Sequence, residues 1–325
     1  MVTPNYAWAV ISLKRKKSKS FITMEKGVGN FATISDIGAL GKKYSNRVLL
    51  YLESREDVEI FRERWFKDAT EWVEFVPVDN PDGGGGGSSE VLKRVQADRE
   101  NQVAAFGIVD RDVLLNHNAM DGSLNWNAFL EPDHDIFEAA RYLGPNIKIL
   151  RRWEIENYLL HPEAISKLLE NMEAKEQVHC SGQTASQCLL GFSEVAILMT
   201  AANLVLMDHR KTLLQPLFGQ QYPTSDDLKP MILQQLESKD IAASDEIEIK
   251  SRAIRAFLKD KMVAPKDQWN QLNHLIDGKL FLERFCVWLG LKDPRRLELA
   301  GRIADQGLID LEISSFMETI KANPT

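Results

Sequence analysis

The chain has 325 residues, 44% of them hydrophobic and 27% charged, with a formal net charge of −7. These globular proportions exclude a wholly disordered, collagen-like or coiled-coil chain, and the acidic balance excludes a bulk-basic nucleic-acid coat. They do not exclude a nucleic-acid enzyme, because affinity rests on local patches and metal ions. The length fits one large domain or two ordinary ones.

Residues 1–46 carry eight Lys/Arg (Lys14, Arg15, Lys16, Lys17, Lys19, Lys26, Lys42, Lys43) against Glu25 and Asp36. This basic segment reads either as a phosphate-contacting arm or as a solvated tail. The basic residues follow the first apolar stretch, where a secretory signal would have them first. The three cysteines, Cys180, Cys188 and Cys286, are too few for a disulfide framework, and their odd number suits a reducing compartment. The most apolar stretch, Val195–Met207, is interrupted by Thr200 and Asn203 and falls short of the roughly 20 residues a membrane span needs. The expectation is a cytoplasmic protein.

From Arg47 the pattern changes. Val48-Leu49-Leu50-Tyr51-Leu52 is an apolar run of the kind that forms a strand buried on both faces of a parallel sheet. Asp57 opens a helical pattern with Val58, Phe61 and Trp65. Trp72–Val78 reads as a second strand, and 79–89 as a loop with five consecutive glycines, Gly83–Gly87. Ser88 or Ser89 is placed to cap the next helix, Val103–Val109 reads as a third strand, and Ile136–Leu143 as a short helix. Ile147–Leu150 reads as a fourth strand. The alternation predicts an α/β fold. From Pro162 onward the periodicity is helical: Ile165, Leu168, Leu169 and Met172 form one stripe, and Phe281, Phe285, Trp288 and Leu289 another, suited to core or dimer packing. Asp293-Pro294 reads as a cap and a first-turn proline.

Acids fall where the strands end. Glu53 follows the first strand. Asp110 and Asp112 follow the third, in Gly107-Ile108-Val109-Asp110-Arg111-Asp112. Glu154 and Glu156 follow the fourth, in Trp153-Glu154-Ile155-Glu156-Asn157-Tyr158. Ligands of open parallel sheets bind beyond the carboxyl ends of the strands. Carboxylates gathered there repel one another, and a hard divalent cation, Mg²⁺ or Mn²⁺, resolves the repulsion. Arg111, Arg151, Arg152 and Lys279, the last in Asp277-Gly278-Lys279, are candidates to neutralise transition-state charge. The glycine loop reads as a mobile connection or as a phosphate cradle at a helix start. No G-x-x-x-x-G-K-[ST] phosphate loop is present, and His179-Cys180 with Cys188 is not a zinc pattern.

A glutamate after strand one and D-x-D after strand three, at Glu53 and Asp110/Asp112, resemble the Toprim domain of topoisomerases, primases and OLD-type nucleases. The nuclease variant adds acids at the places of Asp57 and Glu154/Glu156. Ser54 stands where Toprim families usually carry glycine. The run from Glu53 to Leu160, with its helical continuation, further resembles the Toprim effector subunits of PARIS-type anti-phage systems. This resemblance implies a Toprim-type parallel sheet flanked by helices over 47–160, after the basic segment 1–46, and a mostly helical domain over 161–325 for dimerisation or partner binding. It implies a metal-dependent endonuclease, toxic to the host, that cleaves tRNA once released from an ABC-type ATPase sensor and is active as a homodimer. One or two Mg²⁺ or Mn²⁺ ions would be held by Glu53, Asp57, Asp110, Asp112 and Glu156, with Glu154 competing for the place of Glu156. Glu53, Asp110 and Asp112 would be catalytic. The alternatives are an OLD-like DNA endonuclease and a non-catalytic Toprim scaffold that binds an ATPase.

Overall fold

The structure is a computed structural model that describes residues 47–79, 87–116, 124–139, 143–172, 180–259 and 262–323. The basic segment and Gly83–Gly86 lie outside the described residues. Four parallel strands form one sheet in the order β2-β1-β3-β4: β1 (Val48–Leu52), β2 (Val73–Pro77), β3 (Ala105–Val109) and β4 (Ile147–Ile149). All five residues of β1 and of β3 are buried, which accounts for their unbroken apolar runs. Each strand lies within the span expected for it, β2, β3 and β4 with tighter ends.

Strand alternation sorts the covering helices onto two faces. Gly107 of β3 faces α2 (Ser88–Glu100), where an added Cβ would stand 2.5 Å from Val91 Cγ1. Glycine is therefore required by close helix–sheet approach. Tyr51, paired in register with Gly107, donates its hydroxyl to Asp98 on the same helix at 2.5 Å. On the opposite face, Phe75 of β2 meets Phe61, with ring centroids 6.3 Å apart. Phe61 opens the π turn Phe61–Trp65 that continues α1 (Arg55–Ile60). Phe106 of β3 packs edge-on against Phe316 of α14 (Leu311–Ala322) at 6.2 Å.

Between β3 and β4 run α3 (Val113–Asn116), α4 (Trp126–Phe129) and α5 (His134–Ala139). After β4 come α6 (Ile155–Leu159), α7 (Pro162–Glu170), α8 (Ala185–Asp208), α9 (Ser225–Glu237), α10 (Ser244–Arg255), α11 (Pro265–Leu272), α12 (Gly278–Trp288), α13 (Arg296–Asp305) and α14. Among the described residues no strand follows β4, as the periodicity predicts. The last two helices return to the α/β layer: α13 packs on α1, the π turn, α6 and α7.

Helix α8 is longer than the apolar stretch legible in the sequence. Its 24 residues, with a mean hydropathy of 1.8 in the most apolar window, are enough by length and composition to cross a membrane, but 83% of that window is buried inside the protein. It is the post around which α7, α9, α10, α11 and α12 pack, so its composition follows from all-round burial. The two polar interruptions are both engaged. Thr200 Oγ1 accepts from the backbone N–H of Asp277 at 3.1 Å, and Asn203 Oδ1 from that of Leu214 at 2.8 Å.

Phe281, Phe285 and Leu289 are buried within the chain, and Phe192 of α8 lies 5.3 Å from Phe281 and from Trp288, so this stripe packs in the core, the first of the two roles its periodicity suits. Two expectations are corrected. Helix α13 begins at Arg296, beyond Asp293-Pro294, after Arg295 in a left-handed conformation with φ 51°. Cys180 and Cys188 form a disulfide, while Cys286 is free and buried.

Candidate functional site

The strand order reverses direction between β1 and β3: the chain leaves β1 toward β2, then returns across β1 to β3 and β4. Connections from these neighbours depart to opposite faces and leave a crevice at their carboxyl ends. Glu53 and Asp110 stand on its two lips. The backbone N–H of Asp110 donates to Glu53 Oε1 at 2.9 Å, and Ser88 Oγ donates to the same oxygen at 2.7 Å. Ser88 thus serves the crevice; the residue that caps α2 is Gly87, with φ 79°.

Asp57 sits one turn into α1 and forms a capping box with Ser54. Its N–H donates to Ser54 Oγ at 3.1 Å, and its Oδ2 accepts from the N–H of Ser54 at 3.0 Å. Ser54 is therefore a helix cap. Asp57 is buried, and burial first, then the nearby Glu53, pushes its carboxyl up to about 6 against the Ser54 hydrogen bonds and Lys279. Burial and Glu53, followed by Glu154, likewise push Asp112 up to about 7, and Asp110 well above the usual carboxylate range.

The helical half completes the crevice. Asn157 and Asn273, both fully buried, are bound to each other: Asn157 Nδ2 donates to Asn273 Oδ1 at 3.0 Å and to the carbonyl of Ile276 at 2.8 Å, and Asn273 Nδ2 donates to the carbonyl of Asn157 at 2.6 Å. This stitch sets the start of α12 against α6. Gly278 lies so close that an added Cβ would fall 2.6 Å from Asn157 Oδ1. The backbone N–H of Lys279 then donates to Glu154 Oε1 at 2.5 Å, and its ammonium lies 3.4 Å from Glu154 Oε2. Asp277 caps α12 through the N–H of Leu280 at 2.8 Å, and burial and Glu154 push its carboxyl up to about 8. Burial alone would lower the Lys279 ammonium, but Glu154, Glu156, Asp110 and Asp57 together hold it above its ordinary range.

The two glutamates after β4 separate. Glu154 is the one whose charge bears on both Asp110 and Asp112. Glu156 turns to Arg296 of α13, whose Nε is 3.0 Å from Oε1 and which also pairs with Glu56 and Glu283. Its other oxygen is buried without a partner among the described residues, and burial and Glu154 push the carboxyl up to about 8.

Of the candidate cations, only Lys279 faces the carboxylates. Arg111 is buried, its guanidinium donating to the carbonyls of Phe129, Arg151 and Glu131 at 2.8, 2.5 and 2.7 Å, so it braces loops. Arg151 and Arg152 line a separate cavity. Sequence reasoning missed Asp277 and Arg296. The first stood in a motif quoted for its lysine; for the second no local signal exists.

Glu53, Asp57, Asp110, Asp112, Glu154, Glu156 and Asp277 therefore share one crevice with Lys279 and Arg296. No three of the described acids or histidines already form a metal-ligand group, yet the donor set suits a hard cation: all-oxygen, in excess over its counter-charges, with an orphaned buried oxygen at Glu156. The fold and crevice define a parallel α/β protein with an acidic switch point. Comparison with models of known families, with curated proteins and with solved structures finds no match.

Proposed function

We propose that the chain is a metal-dependent nuclease of the Toprim type, cleaving phosphodiester bonds in RNA, with tRNA as its target. The single observation that carries the nuclease reading is the meeting of Glu53, Asp110, Asp112 and Glu154 at the β1/β3 switch point, with one lysine brought in from the helical half. The tRNA target, a role as toxic effector in anti-phage defence and restraint by an ABC-type ATPase rest on the sequence resemblance alone.

In this reading Asp110, Asp112 and Glu154 would hold the cation together with Glu53, and Asp57 and Glu156 would be available to a second ion. When bound, Mg²⁺ or Mn²⁺ supplies a water of lowered pKa and neutralises charge on the phosphoryl oxygens. Ser88 and the Asp110 N–H fix the orientation of Glu53, as a shared ligand or as the group that moves a proton. Lys279, anchored through its backbone to Glu154, presents its ammonium to the negative charge that develops at the phosphate.

The test is purified protein with Mg²⁺ or Mn²⁺, offered tRNA and plasmid DNA in parallel. The expected result is tRNA cleavage that stops with a chelator and is abolished in folded Glu53→Ala and Asp110→Ala variants. Cleavage of plasmid alone would transfer the site to the OLD-like DNA endonuclease reading. Unchanged cleavage in either variant would remove these residues from the chemistry.

A further inference from the structure

Beside β4, the described residues line an open cavity of about 830 Å³, within the range of small-molecule sites. Its lining includes Lys148, Arg151 and Arg152 but also Glu138, Asp310 and Glu312, so any preference for charge comes from placement, not from a net excess. Most of that charge is already matched. The Lys148 ammonium is 2.7 Å from Glu312 and 3.5 Å from Glu138, and the Tyr158 hydroxyl donates to Glu312 Oε2 at 2.5 Å. Arg152 is 3.6 Å from Asp310 and donates to the carbonyl of Asn157 at 3.0 Å.

Arg151 is the exception. Its backbone is pinned on both sides: its N–H donates to Glu312 Oε1 at 3.0 Å, and its carbonyl accepts from Arg111. Arg151 lines this cavity and a neighbouring one, and its guanidinium makes no ion pair or hydrogen bond among the described residues. A guanidinium offers five N–H donors and no acceptor, and its fork matches the paired oxygens of phosphate or carboxylate. Leu308, Ile309 and Leu311 also line the cavity, and Leu311 is 80% exposed, unusual for its type. They supply apolar surface for a ring, and the volume exceeds what a small carboxylic acid would fill.

We propose that this cavity binds a phosphate-bearing ligand of nucleotide size, with its phosphate on Arg151 and its ring against Leu308, Ile309 and Leu311. A free mononucleotide and a nucleotide unit of an RNA strand share this chemistry. The site lies behind the segment that presents Glu154, since Arg152 and Tyr158 line the cavity and flank that glutamate in sequence. It is separate from the carboxylate crevice and does not depend on nuclease activity.

The test is isothermal titration of the full chain, in a chelating buffer that prevents cleavage, with AMP, inorganic phosphate and a 5′-phosphorylated RNA tetranucleotide. AMP binding identifies the free nucleotide as the source; binding of the tetranucleotide alone identifies the strand. In either case Arg151→Glu should weaken binding about tenfold to a hundredfold, the loss expected for a charge-assisted hydrogen bond. Ser315→Trp, at an exposed residue of the lining, should block the cavity, and Glu53→Ala should bind as the unaltered chain does. No binding of any probe at millimolar concentration, or unchanged affinity in Arg151→Glu, would overturn the proposal. Inorganic phosphate binding as tightly as AMP would overturn the assignment of size.

Discussion

Burial is the leading cause of the upward shifts at Asp57, Asp110, Asp112, Glu156 and Asp277, with neighbouring carboxylates adding to it. A carboxyl whose pKa is raised on folding binds its proton more tightly in the folded chain than in the unfolded one, where it titrates near 4. The folded state therefore holds more protons, and stability falls as pH rises. The contribution is fully present below about pH 4 and is lost progressively as Asp57, Asp112, Glu156 and Asp277 pass their folded values of about 6, 7, 8 and 8. Metal-free protein should thus melt several degrees higher at pH 5 than at pH 8, and Mg²⁺ should recover part of the loss at pH 8. Glu156→Gln should flatten the profile and leave stability at pH 8 unchanged or higher. A melting temperature that rises from pH 5 to pH 8 in a chelating buffer would contradict this. At the same scale, the sequence shows which residues are acidic but not what each one meets. Arg111, between two site aspartates, looks like a site cation, and only its burial on three carbonyls removes it. Asp277 looks like any helix cap, because capping and site membership need the same residue type.

Among the elements, β1 and β3 were legible because burial on both faces leaves an uninterrupted apolar run, and strand ends then placed Glu53, Asp110 and Asp112. The approach of α12 to α6 was not legible. It depends on the Asn157–Asn273 stitch across 116 residues and on the absence of one Cβ. At Gly278 that Cβ would stand 2.6 Å from Asn157 Oδ1 and 2.9 Å from its backbone nitrogen, both closer than real contacts allow. Asn157 cannot yield freely, since its side chain also bonds the carbonyl of Ile276. Gly278→Ala should therefore cost about 1–3 kcal/mol, the range for overpacking. It should also displace Lys279 from Glu154, so that activity falls further than stability alone explains. Chemical denaturation gives the first quantity and cleavage at a temperature where the variant is fully folded gives the second. Equal stability of the two proteins would mean that α12 can shift without cost. Helix α13 shows the same limit. The start expected at Asp293-Pro294 is delayed to Arg296 because Arg295 adopts a left-handed turn that no local pattern announces.

Across the whole molecule, the division between an α/β half and a helical half holds for sequence pattern but not for packing. Phe316 covers Phe106 on the sheet, Glu312 takes the buried ammonium of Lys148, and Arg296 reaches Glu156. Asp277 and Lys279 sit in the crevice that β1 and β3 open. Without residues 161–325, Phe106 would face water, and Lys148 would lose its buried ion pair with Glu312. Removing one member of a buried pair costs about 3–5 kcal/mol, and a single domain has only about 5–15 kcal/mol to lose. The segment 47–160 expressed alone should therefore fail to fold: its near-ultraviolet circular dichroism should be flat and its amide resonances poorly dispersed. In the full chain, tryptophans on both sides of residue 160 report on one event. Trp65 and Trp153 lie in the α/β half, Trp269 and Trp288 in the helical half, and all but the half-buried Trp288 are buried. Their fluorescence and the far-ultraviolet signal should change together in urea, with one midpoint. Two separated transitions, or a segment 47–160 that gives a dispersed spectrum, would show that the sheet is stable without the helices that cover it.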